Sequence, residues 1–445
     1  MFRNEELFER LFNQRHDPSE KLLVSAEVCS LVYSFEGTDV DSAKSEIKFL
    51  ASLTGKSGLQ LYRDVTTLKE RGLIQSRDVW RAVLPHAIAN RLAKRALEAI
   101  PKDTLVQSFL NSGSERLIKS FTRRLSFLHD CETAVKIVNE WLAEDGWLGK
   151  KNCKFNSFGM EVFKNIAPVS PAKTLEAIKR AANGVEGNRF ASTENIHCNE
   201  FVELLRLLAY DSELFDRCVD IMCRFALSGT EEDKYNSTRD VLKSLFYIYL
   251  SGTHASVESR AKVIEGLVDS EDQNCQALGL YLLDSALESW HFSPSYEFAF
   301  GARPRDYGYY PKTRKERTLW YEMFIGICTR LALSEKHIAQ KARKILSDNF
   351  RGLWTNAGMF ESLEKSAKQI HEQMSWNEGW IAVCGILRYD RESLKEENLE
   401  RLYRLEKHLK PNNLLERART YALSEEHLAF DLEDDLDHTK NASSS

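Results

Sequence analysis

The stretch Gly55–Ala93 constrains this chain more than any other, because it joins a helical stripe, a reversal, two extended runs and a second helix in one short span. Leu61, Val65 and Leu68 recur at three- and four-residue spacing, as one buried face of a helix over Leu59–Lys69 requires. Arg71-Gly72 stops that helix, since glycine readily takes the left-handed conformation found just past helix ends. Leu73–Gln75 and Val79–Leu84 read as short strands around Ser76-Arg77-Asp78. Pro85 suits the first turn of the next helix, Ala87–Ile100. Two runs upstream complete the pattern. Ser19 is a good N-cap for a helix carrying Leu22, Leu23, Ala26 and Leu31, and Ala43–Leu53 carries Ile47, Leu50 and Leu53. Three helices, a hairpin and a closing helix make a winged helix over residues 19–110, with Pro101 near its end.

After this the texture is almost purely helical. Glu115–Leu128 carries Leu117, Ile118, Phe121, Leu125 and Leu128 on one stripe, and Glu132–Leu142 carries Ala134, Val135, Val138 and Leu142. Comparable stripes follow at Phe201–Ala209, Leu214–Leu227, Val241–Leu250, Val257–Val268, Ala277–Leu287, Leu319–Leu333 and Ile338–Phe350. Nine prolines and 21 glycines in 445 residues are few, which also favours helices. The helices pair at a spacing that suits an α-solenoid of the HEAT type over residues 111–352, with an irregular helical bundle as the alternative. The expected class is therefore mainly α: an N-terminal winged helix with a small β-hairpin, followed by a HEAT-like array. Residues 353–430 continue as more polar helices, and 431–445 reads as an acidic, disordered tail. Residues 1–18 form a short amphipathic helix with Leu7, Phe8, Leu11 and Phe12 on one side. It is too short to bury that side alone, so it either packs on the winged helix or belongs to a preceding domain.

One segment interrupts the helices: Trp290–Thr313, rich in aromatics and proline. It is too irregular for a helix and too apolar for a solvated linker, so an ordered loop is expected. Two roles remain open. It is a structural plug, or it is a recognition surface built from Trp290, Phe300, Arg303, Arg305, Tyr307, Tyr309 and Tyr310, the residue types that supply most binding hot spots.

Charge narrows the choice of partners. The net charge of −5 argues against a protein that coats nucleic acid, yet Lys56–Arg95 holds nine basic and three acidic residues, a local +6. Lys56, Arg63, Lys69 and Arg71 on or near the third helix, with Arg77 and Arg81 on the wing, are candidate phosphate contacts to DNA. Asp64, Glu70 and Asp78 interrupt them. No apolar run reaches the roughly 18–20 residues of a membrane span, and the nine cysteines are scattered without a Cys-x-x-Cys pair, as in a reducing cytoplasm. Thr54-Gly55-Lys56-Ser57 imitates the end of a phosphate loop, but Leu50 stands where its first glycine belongs and no strand precedes it. Leu280–Asp284 imitates a magnesium-binding strand but falls within a helical stripe, and His197, Cys198, Cys218 and Cys223 lack metal-site spacing. No catalytic constellation is expected in this chain.

Leu68-Lys69-Glu70-Arg71-Gly72-Leu73-Ile74, followed by Val83-Leu84-Pro85-His86-Ala87-Ile88-Ala89-Asn90-Arg91-Leu92-Ala93, resembles the winged-helix domain of STAND-type P-loop NTPases, the antiphage and NLR-like signalling ATPases. In that family a Met-His-Asp motif opens the last winged-helix helix, and its histidine reaches the β-phosphate of ADP on the neighbouring ATPase domain. His86 matches that histidine, while Pro85 and Ala87 replace its flanking residues. An imidazole beside helix-start amides suits an anion, and a purely structural histidine is the other reading. Leu250–Ala255 and Phe300–Gly308 look like the helical half of such proteins. The resemblance implies a non-catalytic sensor half that senses a protein trigger, such as a phage product. ATP or ADP would enter only with a P-loop domain, expected before residue 1 or in a neighbouring subunit. The reading that competes with it is a DNA-binding regulator whose helical domain takes a ligand.

Overall fold

The computed structural model describes residues 20–228, 238–290, 292 and 297–411. The helix expected over 1–18, the last part of 353–430 and the tail 431–445 lie outside the described residues. The chain is mainly helical, with twenty α-helices among the described residues and one small antiparallel sheet near the N-terminus. No helix among them is long and apolar enough to cross a membrane. The chain folds into two compact units. One contains residues 20–208, 217–228 and 297–306, and the other 209–216, 238–290, 292 and 307–411.

The first unit begins α1 (Glu20–Ser30), β1 (Phe35–Glu36), α2 (Glu46–Ser52), α3 (Gly58–Glu70), β2 (Ile74–Arg77), β3 (Trp80–Val83) and α4 (His86–Ala99). The stripe Leu61, Val65 and Leu68 is buried as its spacing predicts. The apparent end of a phosphate loop is the start of α3: Ser57 caps it, its hydroxyl taking the Gln60 amide while the Gln60 side chain accepts from the Ser57 amide. The hairpin turn differs from expectation. Its two residues are Asp78 and Val79, because Arg77 pairs with Trp80 and Asp78 takes a positive φ of 53°. The sheet also has a third strand beyond the expected hairpin. Phe35–Glu36 pairs with Arg81 and Trp80 to give the order β1-β3-β2, and two residues carry no alternation by which to read a strand.

The unit continues with α5 (Lys102–Asn111), α6 (Glu115–Leu125), α7 (Glu132–Leu142), α8 (Ser157–Ile166), α9 (Pro171–Asn183), α10 (Gly187–Phe190), α11 (Cys198–Leu208) and the latter part of α12 (Ser212–Ser228). Helix α6 is fastened to the segment before β1. The Tyr33 amide donates to Ser120 O at 3.0 Å, the Ser34 amide to Ser120 Oγ at 2.9 Å, and Arg116 pairs with Glu46. That seam fixes where Tyr33 stands.

The second unit holds the start of α12, then α13 (Thr238–Ser244), α14 (Val257–Val268), α15 (Gln273–Leu287), α16 (Arg314–Ala332), α17 (Ala339–Gly352), α18 (Phe360–Gln373), α19 (Asn377–Tyr389) and α20 (Glu396–Leu409). Here one expectation is overturned. The helix predicted over Val241–Leu250 ends at Ser244, because the residues beyond it are drawn around Arg260. Arg260 has no exposed surface. It donates from Nε to Leu245 O at 2.8 Å, from Nη1 to Ala255 O, and from Nη2 to Ser251 Oγ at 3.0 Å. Its Cζ lies 4.9 Å from the Trp320 ring and 5.6 Å from that of Tyr309. Burial pulls its pKa down to about 9, which still leaves it charged at neutral pH.

The same loop is laced to residues 307–309. The Gly252 amide donates to Tyr307 O at 2.9 Å, and the Tyr309 amide donates to Thr253 O at 2.7 Å. Gly308, at φ +88°, lies so close that a Cβ there would meet Thr253 N at 2.4 Å. Gly308→Ala should therefore cost about 2–4 kcal/mol through the left-handed backbone and the collision. Urea unfolding monitored by circular dichroism checks this, and an unchanged midpoint would refute it.

Candidate functional site

His86 is the first residue of α4, exposed, and preceded by the cis Leu84–Pro85 bond. Pro85 offers no side-chain cap, so the first amides of α4 receive none from it. The imidazole is not isolated. Its Nε2 lies 3.2 Å from Tyr33 Oη, and the two rings stack with centroids 5.0 Å apart and 21° between planes. Two arginines stand on the same tyrosine: Arg123 Cζ lies 4.0 Å and Arg124 Cζ 5.4 Å from the Tyr33 ring. Helix α6 explains the arrangement. Ser120, Arg123 and Arg124 are spaced i, i+3 and i+4, which puts all three on one face, and Ser120 is the residue bonded to Tyr33.

The two arginines differ in burial. Arg123 is exposed, whereas Arg124 has no exposed surface. Arg124 Nη1 donates to Asn90 Oδ1, on the second turn of α4, while its Nε and Nη2 are buried without an acceptor. Burial first, and then the charge of Arg123, lowers its pKa to about 10, against an opposing effect of Tyr33. It therefore remains cationic. Partial burial, followed by the charges of Arg124 and Arg123, holds the His86 pKa below its ordinary value. The cluster is a cationic notch at a helix start, and a neutral imidazole donates through one ring nitrogen only.

Of this cluster the sequence singles out only His86. Arg124 nevertheless carries a legible signal. It occupies a stripe position, three residues after Phe121 and four before Leu128, where an apolar side chain would be ordinary. Tyr33 has no local signal, since the seam to Ser120 is a long-range contact.

The basic residues of α3 and the β2–β3 hairpin are not one surface. Arg63, Lys69 and Arg77 are exposed, and Arg71 is half-buried. Lys56 turns inward, donating to Lys21 O at 2.7 Å and Ser25 Oγ at 2.6 Å and pairing with Asp64 at 2.9 Å. Arg81 Nη1 donates to the carbonyls of Asp78 and Trp80, at 2.6 and 2.9 Å.

The aromatic segment likewise divides. Phe300 is 3% exposed and belongs to the core, so it does not present a surface. Arg303 Nε donates to Pro168 O at 2.5 Å and Arg305 Nη1 to Leu207 O at 2.7 Å, which makes both of them ties within the first unit. In the second unit Tyr309 stacks on Trp320 with centroids 5.5 Å apart. Trp290, Tyr307 and Tyr310 remain exposed. Among the described residues no group of three or more His, Cys, Asp or Glu side chains is placed to hold a metal ion.

Comparison with protein-family models, with curated proteins and with solved structures finds no match for this chain.

The two arginines make a prediction about His86. In a histidine-ring NMR titration it should titrate below about 6.5, the usual histidine value, and move up toward it in Arg123→Gln. Because folding favours the neutral ring, this contribution to stability is present above the unfolded pKa and is lost as pH falls through the lowered folded one. A midpoint above the usual value would contradict the assignment.

Proposed function

We propose that this chain is the regulatory half of a STAND-type NTPase: a winged helix whose exit histidine reads the nucleotide on a P-loop domain, followed by a HEAT-like helical array that senses a protein trigger. The reading rests on the resemblance around His86 and on one observation above all. His86 is exposed at the first residue of the helix leaving the wing, beside two arginines and a helix start, where the phosphate of a ligand held by a neighbouring domain would be met by positive potential. Supporting it are the helix–strand order and the β1-β3-β2 sheet, which suit a winged helix, and the succession of α14, α15, α16 and α17, each packed on the next, which suits a solenoid. No catalytic role is assigned to the chain itself. ATP or ADP belongs to the P-loop domain, in trans or in a preceding segment, and the site of action is the cytoplasm. The trigger is a protein, with phage products the class that the resemblance favours.

Duplex DNA is the weaker partner. Three of the six residues that would grip its backbone are exposed, while Lys56 is turned into the fold and Arg81 Nη1 is held by carbonyls of its own hairpin.

The test is biochemical. A P-loop protein encoded beside this chain should co-purify with it, and in that complex His86→Ala should speed ADP release about tenfold and raise basal signalling. Unchanged ADP release in a complex that still forms would remove the nucleotide-reading role.

A further inference from the structure

Arg124 is a cation that the fold leaves incompletely met. Among the described residues its one hydrogen-bond acceptor is Asn90 Oδ1, which takes Nη1. Nε and Nη2 have none, and the side chain has no exposed surface. No described carboxylate pairs with it, and the adjacent charge is the like charge of Arg123. An ionised group taken from water without a counter-charge is costly, and removing that cost requires an acceptor of opposite sign. The guanidinium lies against the first turns of α4, where Asn90 receives one of its donors and where His86 and a helix start without a side-chain cap also lie.

We infer that Arg124, Arg123 and His86 form an oxyanion site within this chain, and that its ligand is a phosphate group. A guanidinium fork with unmet N–H donors on two nitrogens, a second guanidinium, an imidazole N–H and helix-start amides present donors from several directions. That set fits the three oxygens of a terminal phosphate better than the two of a carboxylate. The inference deepens the reading of His86 as a phosphate sensor and rests on it. It adds that the chain supplies a buried anchor of its own, from the helix after the wing, and binds phosphate without the ATPase domain.

Tyr33 controls entry. Its ring stands against both guanidinium groups and its hydroxyl is bonded to His86, while Arg124 Nε and Nη2 have no exposed surface in this arrangement. Rotation of this half-buried ring about χ1 opens the way to them. Breaking the Tyr33–His86 bond is thus part of binding.

The test uses the full chain alone, with inorganic pyrophosphate as the probe and citrate as the carboxylate control. Pyrophosphate should shift the His86 ring resonances saturably, with a dissociation constant below about 1 mM, and citrate should not. Arg123→Gln, at an exposed position, should weaken binding about tenfold, and Tyr33→Phe should strengthen it by removing the bond that must break. Arg124→Lys, which keeps the charge and loses the fork, should weaken it at least as much as Arg123→Gln does. If Arg124→Lys fails to fold by circular dichroism, Arg123→Gln and Tyr33→Phe carry the result. No saturable shift of His86 up to about 10 mM, equal shifts with citrate, or unchanged affinity in Arg123→Gln overturns the inference. The two proposals fail separately. Pyrophosphate binding with no effect of His86→Ala on ADP release in the complex would sink the NTPase reading and keep the site, and the reverse result would do the opposite.

Discussion

A guanidinium removed from water must be met by acceptors, and at Arg260 the fold of the second unit is arranged to provide them. Leu245 and Ala255 give carbonyls, Ser251 gives a hydroxyl, and Trp320 and Tyr309 give ring faces. None of these is a carboxylate. The charge is accommodated by dipoles that cannot leave, so the path of residues 245–255 is dictated by it. That explains why α13 stops early and why Gly308 must come so close to Thr253. Arg124 in the first unit is the same kind of residue with two of its nitrogens lacking an acceptor. At Arg260 this chain surrounds a buried arginine fully, and at Arg124 it does not.

Where local rules govern, the sequence is readable. The stripe of α3, its glycine stop at Gly72 and the proline before α4 all follow from spacing and backbone preference, and the apparent phosphate loop at Gly55–Ser57 resolves into a turn and a capped helix start. Where distant residues decide, it is not. Strand β1 exists because β3 offers it a register, and the early end of α13 depends on a side chain fifteen residues beyond Leu245. The candidate site shows both cases. His86 can be named from its place after the hairpin, but Tyr33 belongs to a seam whose Ser34–Ser120 bond spans 86 residues of sequence. Arginines at stripe positions, Arg124 and Arg260 alike, are visible in the sequence as exceptions to a pattern and are the most informative signs in it.

The β2–β3 hairpin and the aromatic segment show how composition misleads. Six basic residues near one helix suggest a grip on DNA, yet Lys56 spends its donors inside the fold and Arg81 Nη1 is held by carbonyls of its own hairpin, and a charge contributes to phosphate binding only where it is free to turn outward. The aromatic segment suggests a recognition surface, yet Phe300 is core and Arg303 and Arg305 are ties to backbone carbonyls. What both leave behind is smaller and better defined: a notch at the start of α4 in one unit, and three exposed rings, Trp290, Tyr307 and Tyr310, in the other.

On the proposed function, nucleotide phosphate held by a P-loop domain is met at the start of α4. Hydrogen–deuterium exchange on the full chain, with and without an ADP-loaded P-loop partner, tests the proposed role. Slowed exchange is expected at residues 33–36 and 86–90 and across residues 120–125, with α3 and the β2–β3 hairpin unchanged. Protection of α3 and the hairpin by duplex DNA, with no change at the start of α4 in the presence of the P-loop protein, would contradict it.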